Sequence, residues 1–237
     1  MSGHSKWSTI KHQKGINDAA RGKLFSKLSK AITVATKTGG GGNPDVNNRL
    51  RIAIENARAS NMPSENIKRA ISRAEKEASS LQEVVYEGFG PEGISVIILA
   101  ATDNKNRTVQ ELKSLFDRNN GSLGGPGSVS FNFDYVGEII VKKEGADDQL
   151  LRLIDLGVED INEENDNLNC FVEPKDLYEI AGKIQNMGGE VISSKLIYKP
   201  KITQKIIDET KIAKIDHFLE TLYDLEDVQD IFTNAEI

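Results

Sequence analysis

The side chains whose type and spacing can do chemistry in this sequence are basic. Lys6, Lys11 and Lys14 are followed by Arg21, Lys23, Lys27, Lys30 and Lys37, then by Arg49, Arg51, Arg58, Lys68, Arg69, Arg73 and Lys76. Through Lys76 the chain carries 15 Lys and Arg against 5 Asp and Glu, whereas the rest carries 15 against 31. The chemistry such a local surplus supports is neutralisation of a polyanion, each cation displacing a counterion from a phosphate. Lys23, Lys27 and Lys30 recur at i, i+4 and i+7 and so share one face of a helix. With so few acids nearby, that face reads as phosphate-facing rather than as a merely solvated stripe.

Other chemistries find less support. His4, His12 and His217 are too scattered for a metal site, so no metal or cofactor is expected. Asp147 and Asp148 suit a helix start, where carboxylates meet the positive end of the dipole, and Glu163-Glu164 reads as a turn. Gly39-Gly40-Gly41-Gly42 is followed by Asn43-Pro44 instead of the Gly-Lys-Ser/Thr of a phosphate-cradling loop, which makes it a linker. With no nucleophile elbow either, an enzyme is not expected. The single cysteine, Cys170, excludes a disulfide framework, fits a reducing compartment and reads as an inward, inert thiol. The polar N-terminus and the lack of an apolar run near the ~20 residues of a membrane span point to a cytoplasmic protein.

The elements that must position the cations come in three groups. Asp18 to Lys37 repeats apolar residues at Leu24, Leu28, Ala31 and Ala35; further helices run from about Pro44 to Ser60 and onward from Pro63. These predict a basic three-helix bundle over residues 1–79. A continuous apolar run at Ile94–Ala101 predicts a buried strand, with a polar turn at 103–108 and a helix near Val109–Arg118. Val129, Phe131 and Phe133 alternate like a strand. From 135 to 199 the order is strand, helix, strand, strand, helix, strand, the βαββαβ of a ferredoxin-like unit. A last helix and strand, Asp208–Tyr223 and Val228–Phe232, complete the segment that precedes the insertion. The expectation is a multidomain α+β protein: a helical bundle (1–79), a discontinuous α/β domain (80–134 with 200–237) and an inserted ferredoxin-like domain (135–199). The insert holds 7 basic and 14 acidic residues, which suits protein contact better than RNA.

Several short runs resemble one family. They are Gly3-His4-Ser5-Lys6-Trp7, Ile10-Lys11-His12, Arg21-Gly22-Lys23, Ala59-Ser60-Asn61-Met62-Pro63, Tyr86-Glu87-Gly88, Thr102 to Thr108 (TDNKNRT) and Gly127-Ser128-Val129-Ser130-Phe131. Together they are similar to the YebC/PmpR family over essentially the whole chain, with one departure at Pro126. The resemblance implies three domains and two activities: DNA-binding transcriptional regulation, and ribosome-associated relief of translational stalling.

The residues and the resemblance together nominate a nucleic-acid site. It comprises Lys6, Trp7, Lys11, His12, Lys14, Arg21, Lys23, Lys27, Lys30, Arg49 and Arg51, with a second contact at Lys105 and Arg107. Trp7 can stack on a base or pin the N-terminal segment onto the bundle. The partner is promoter DNA or ribosomal RNA, with the ribosome itself as a partner and the protein a monomer or weak homo-oligomer. The competing reading is an adaptor whose basic bundle docks an acidic protein.

Overall fold

The structure is a computed structural model that describes residues 18–76, 80–144 and 148–237. Lys6, Trp7, Lys11, His12 and Lys14 therefore lie outside the described residues. Residues 133–201 form one compact unit, and the described residues before and after it form another. The chain has the mixed α+β, multidomain class expected of it.

The first unit opens with helices α1 (Asp18–Thr38), α2 (Asn48–Ala59) and α3 (Ser64–Lys76). Ile32, Ala35, Leu50, Ile54, Ala57, Met62, Ile67 and Ala70 make their shared core. The glycines after α1 are a built corner rather than a slack linker. Gly40 and Gly41 adopt φ of 97° and 110°, a region closed to most side chains. Buried Asn47 donates to the carbonyls of Ala35 (3.0 Å) and Gly41 (2.8 Å), and its side-chain oxygen accepts from Leu50 N–H. That cap starts α2 at Asn48, not at Pro44. Pro63 stands just before α3, and its carbonyl accepts from Asn66 N–H at 2.9 Å.

The same unit continues with β1 (Gln82–Phe89), β2 (Ser95–Thr102), α4 (Lys105–Arg118) and β3 (Ser122–Gly124). The antiparallel sheet has the order β3-β1-β2-β9, completed by β9 (Val228–Thr233) from the far end of the chain. One face of it packs on α4 and on the last helix through Phe116 and Phe218, whose rings meet edge to face at 5.1 Å. The strand expected across Val129–Phe133 does not form as such: Ser130–Asn132 is a 3₁₀ turn and the strand starts only at Phe133. The cause lies in β1, where the buried Glu87 carboxylate accepts N–H bonds of 2.8 Å from each of Gly127, Val129 and Ser130. Burial pushes this acid's pKa up, and those three donors outweigh it to leave the pKa lowered.

The second unit is β4 (Phe133–Lys142), α5 (Gln149–Asp155), β5 (Asp160–Glu164), β6 (Asn167–Val172), α6 (Leu177–Asn186) and β7 (Val191–Pro200). Its antiparallel order β5-β6-β4-β7 is that of a ferredoxin-like sheet. Glu163 and Glu164 belong to β5 rather than to a turn, and Asp147 lies outside the described residues. Cys170 is fully buried between Ile139 and the helices, and burial pushes its thiol up to about 12, far from a reactive thiolate. Beyond this unit the chain returns to the first through β8 (Gln204–Lys205), α7 (Glu209–Asp224), β9 (Val228–Thr233) and β10 (Ala235–Glu236).

Candidate nucleic-acid interface

Helix α1 has partners on two sides. Its apolar stripe meets α2 and α3, and its other flank meets β2 and β9, which leaves Ile32 to Thr36 buried without a break. The lysine face turns toward the end of α7. Lys27, only 5% exposed, donates from Nζ to the carbonyls of Tyr223 and Val228 (2.7 Å to the latter) and sits 3.8 Å from the Tyr223 ring centroid. Carbonyls at a helix C-terminus carry the negative end of the dipole, so the amine is well placed there. One turn on, Lys30 Nζ reaches Asp227 Oδ1 at 2.8 Å and Glu226 Oε1 at 3.2 Å. Lys23 stands 3.9 Å from Asp224, both largely exposed. The stripe expected to face phosphate is thus corrected. Lys27 and Lys30 dock the bundle on the α7–β9 turn, because each finds backbone or carboxylate oxygens there at hydrogen-bonding distance.

Asp227 is the centre of that contact and is 3% exposed. Besides Lys30, it accepts from Thr108 Oγ1 at 2.7 Å and from Arg107 at 3.1 Å, and its own carbonyl accepts from Ala101 N–H at 2.8 Å. Burial by itself would raise its pKa; the bonds from Lys30, Thr108 and Arg107 overturn that and pull it down to about 2. The run Thr102–Thr108 is built for this purpose. Asn104 caps α4 by accepting from Arg107 N–H at 3.2 Å, which aims Arg107 and Thr108 from the first turn at Asp227. Arg107 also holds Asp103 at 2.8 Å. Arg107 is therefore a second correction, since its guanidinium is engaged by two carboxylates. The glycine loop that starts at Gly121 follows the other end of α4, a helix of 14 residues or ~20 Å.

Arg49 turns to Glu83 and to Thr38 Oγ1 (3.2 Å). Of the nominated residues within the described chain, Arg21, Lys23, Arg51, Lys105 and Arg107 are exposed. They stand with cations left out of the nomination, namely Arg58 on α2 and Lys68, Arg69, Arg73 and Lys76 on α3, all exposed. The signal for these was their position opposite the apolar stripe of each helix. Together α2 and α3 hold seven basic side chains against Glu55, Glu65 and Glu75. Along α3 the face borders an open groove of about 630 Å³, walled on the other side by α1 and ending at Asp103 and Glu226. Among the described residues no cluster of three His, Cys, Asp or Glu could hold a metal ion. No described helix is long and apolar enough to cross a membrane.

Comparison with known proteins covers nearly the whole chain. Residues 5–77 match the family model described as the TACO1/YebC protein N-terminal domain, and residues 81–235 match the TACO1/YebC second and third domain. A relative from Thermoanaerobacter pseudethanolicus, named a probable transcriptional regulatory protein, is 42% identical across all of this chain and 98% of its own length. One of the same description from Thermotoga maritima is 45% identical across all of this chain and 94% of its own. The crystal structure of a conserved hypothetical protein from Aquifex aeolicus superposes with a TM-score of 0.84 at 42% identity, over 98% of this chain and 97% of that one.

Proposed function

This chain belongs to the TACO1/YebC family, and we propose that it is a nucleic-acid-binding regulator of gene expression that grips the phosphate backbone through the outer face of α2 and α3. The carrying observation is the division of cations within the bundle. Lys27 and Lys30 are spent on the α7–β9 turn, while Arg51, Arg58, Arg69 and Lys76 stay exposed on the other two helices. The relatives' printed names, probable transcriptional regulatory proteins, support the regulatory half of the reading. Phosphate contact positions a protein without reading sequence, so the face suits either a duplex or a folded RNA such as ribosomal RNA.

The test is binding of the full chain to a fluorescent duplex DNA and to a folded RNA fragment across a salt series. Each phosphate contact contributes ~0.9 to the logarithmic salt slope on duplex DNA and ~0.7 on single strands. Charge reversal of Arg51 and Arg58 together should flatten the slope by about two contacts on the physiological partner. An unchanged slope on both probes, with binding retained for an acidic protein, would transfer the role to protein docking. Gradient sedimentation of cell lysate with and without ribonuclease then separates the two targets, since only a ribosome-bound protein co-migrates with the particles and is released by digestion.

A further inference from the structure

We propose that the groove between α1 and α3 seats one unpaired nucleotide of an RNA strand, with its phosphate on Arg69 and Arg73 and its ribose hydroxyl or base edge on Asp103 and Glu226. This rests on the phosphate-binding reading above and gives it a subsite. The groove's size, about 630 Å³, falls within the ~300–1,000 Å³ of small-ligand sites. Its α3 wall and its end differ in charge. Arg69 and Arg73 lie one turn apart on α3 and both line the groove. At its end, Asp103 pairs with Arg107 and Glu226 with Lys30, and each carboxylate stays more than half exposed, with lone pairs to spare.

A bare phosphate would gain nothing from that acidic end. A nucleotide has an anionic end and a donor end, and the 2′-hydroxyl and the exocyclic amine of a base are the donors a carboxylate takes up. Half-buried Phe25, between the walls on α1, offers the apolar surface on which a base is laid, and Ser29 beside it keeps the trough open. In a duplex the 2′-hydroxyl stays available, but the Watson–Crick edge is occupied and the base face is stacked out of reach of Phe25, so the site selects unpaired strands.

The experiment titrates the full-length protein against a short fluorescent oligoadenylate, its deoxy counterpart and a fully paired RNA hairpin. Arg69→Ala with Arg73→Ala should weaken the oligoadenylate about tenfold or more, the scale of one lost base contact with its phosphate. Ser29→Trp fills the groove without changing charge; it should do the same to the oligoadenylate and shift the hairpin by less than about twofold. The deoxy strand should bind the unaltered protein more weakly than the ribose strand. Retained oligoadenylate affinity in Ser29→Trp overturns the proposal, and Arg69→Ala, a change at an exposed position, keeps the test valid if the tryptophan prevents folding. Displacement by micromolar adenosine monophosphate would reassign the groove to a free nucleotide and overturn the strand reading; displacement only above millimolar supports it. If Arg51→Glu with Arg58→Glu weakens every probe while the groove variants do not, the subsite fails and the interface stands. If neither set matters, both fail.

Discussion

The lysines of α1 and the arginines of α2 and α3 belong to one basic bundle and differ in what stands opposite them. Lys27 and Lys30 meet carbonyls and carboxylates of the chain's own last quarter at hydrogen-bonding distance, whereas Arg51 and Arg58 face solvent. Charge surplus in a sequence therefore measures two things at once: what the module offers a partner, and what it needs to stay attached to an acidic neighbour. The first set should behave as structure under mutation and the second as a binding surface.

The contrast can be broken or sharpened in order of size. Lys27→Ala removes the donor from two carbonyls and opens a cavity in a buried contact, and should cost about 3 kcal/mol in urea unfolding. A loss below about 1 kcal/mol would place Lys27 with the exposed set. Asp227→Asn should cost about 2 kcal/mol near neutral pH, because a carboxylate held at about 2 in the folded state titrates near its ordinary value when unfolded. The sign follows from the lowered folded pKa. The contribution is complete above about pH 5 and fades as pH falls toward 2, so the two proteins' stabilities should converge over that window. A gap that persists at pH 2 would mean the carboxylate's charge is not what binds Lys30 and Arg107. Arg51→Glu with Arg58→Glu should leave the unfolding midpoint nearly unmoved while weakening nucleic-acid binding about tenfold, or about 1.4 kcal/mol. The smallest change is Lys23→Ala: its partner Asp224 lies 3.9 Å away in open solvent, and the expected loss is no more than about 0.5 kcal/mol.

Much of the fold could be read from pattern alone. The three helices announced themselves by 3.6-residue periodicity, and the βαββαβ order by alternating runs of strand and helix length, because both signals are local. What could not be read was the second buried side of α1. Its amphipathic pattern showed one apolar stripe, and nothing near Lys27 in sequence foretells the carbonyl of Val228. The same limit explains Val129–Phe133, whose alternation mimics a strand while Glu87, some 40 residues earlier, pins the backbone into a turn. The nominated site shows the effect most plainly. Counting cations singles out the basic bundle, yet Lys27, Lys30 and Arg107 are partners of distant oxygens. Nothing in the local pattern tells that Arg69 and Arg73 border a groove shared with α1.

The seat of Lys27 also has a place in time. Its two carbonyl acceptors come from Tyr223 and Val228, the latter 201 residues downstream. A ribosome adding ~5–20 residues per second needs ~10–40 seconds to supply them. During that interval Lys27 has neither acceptor, and the basic flank of α1 meets its seat only once the C-terminal residues have left the ribosome.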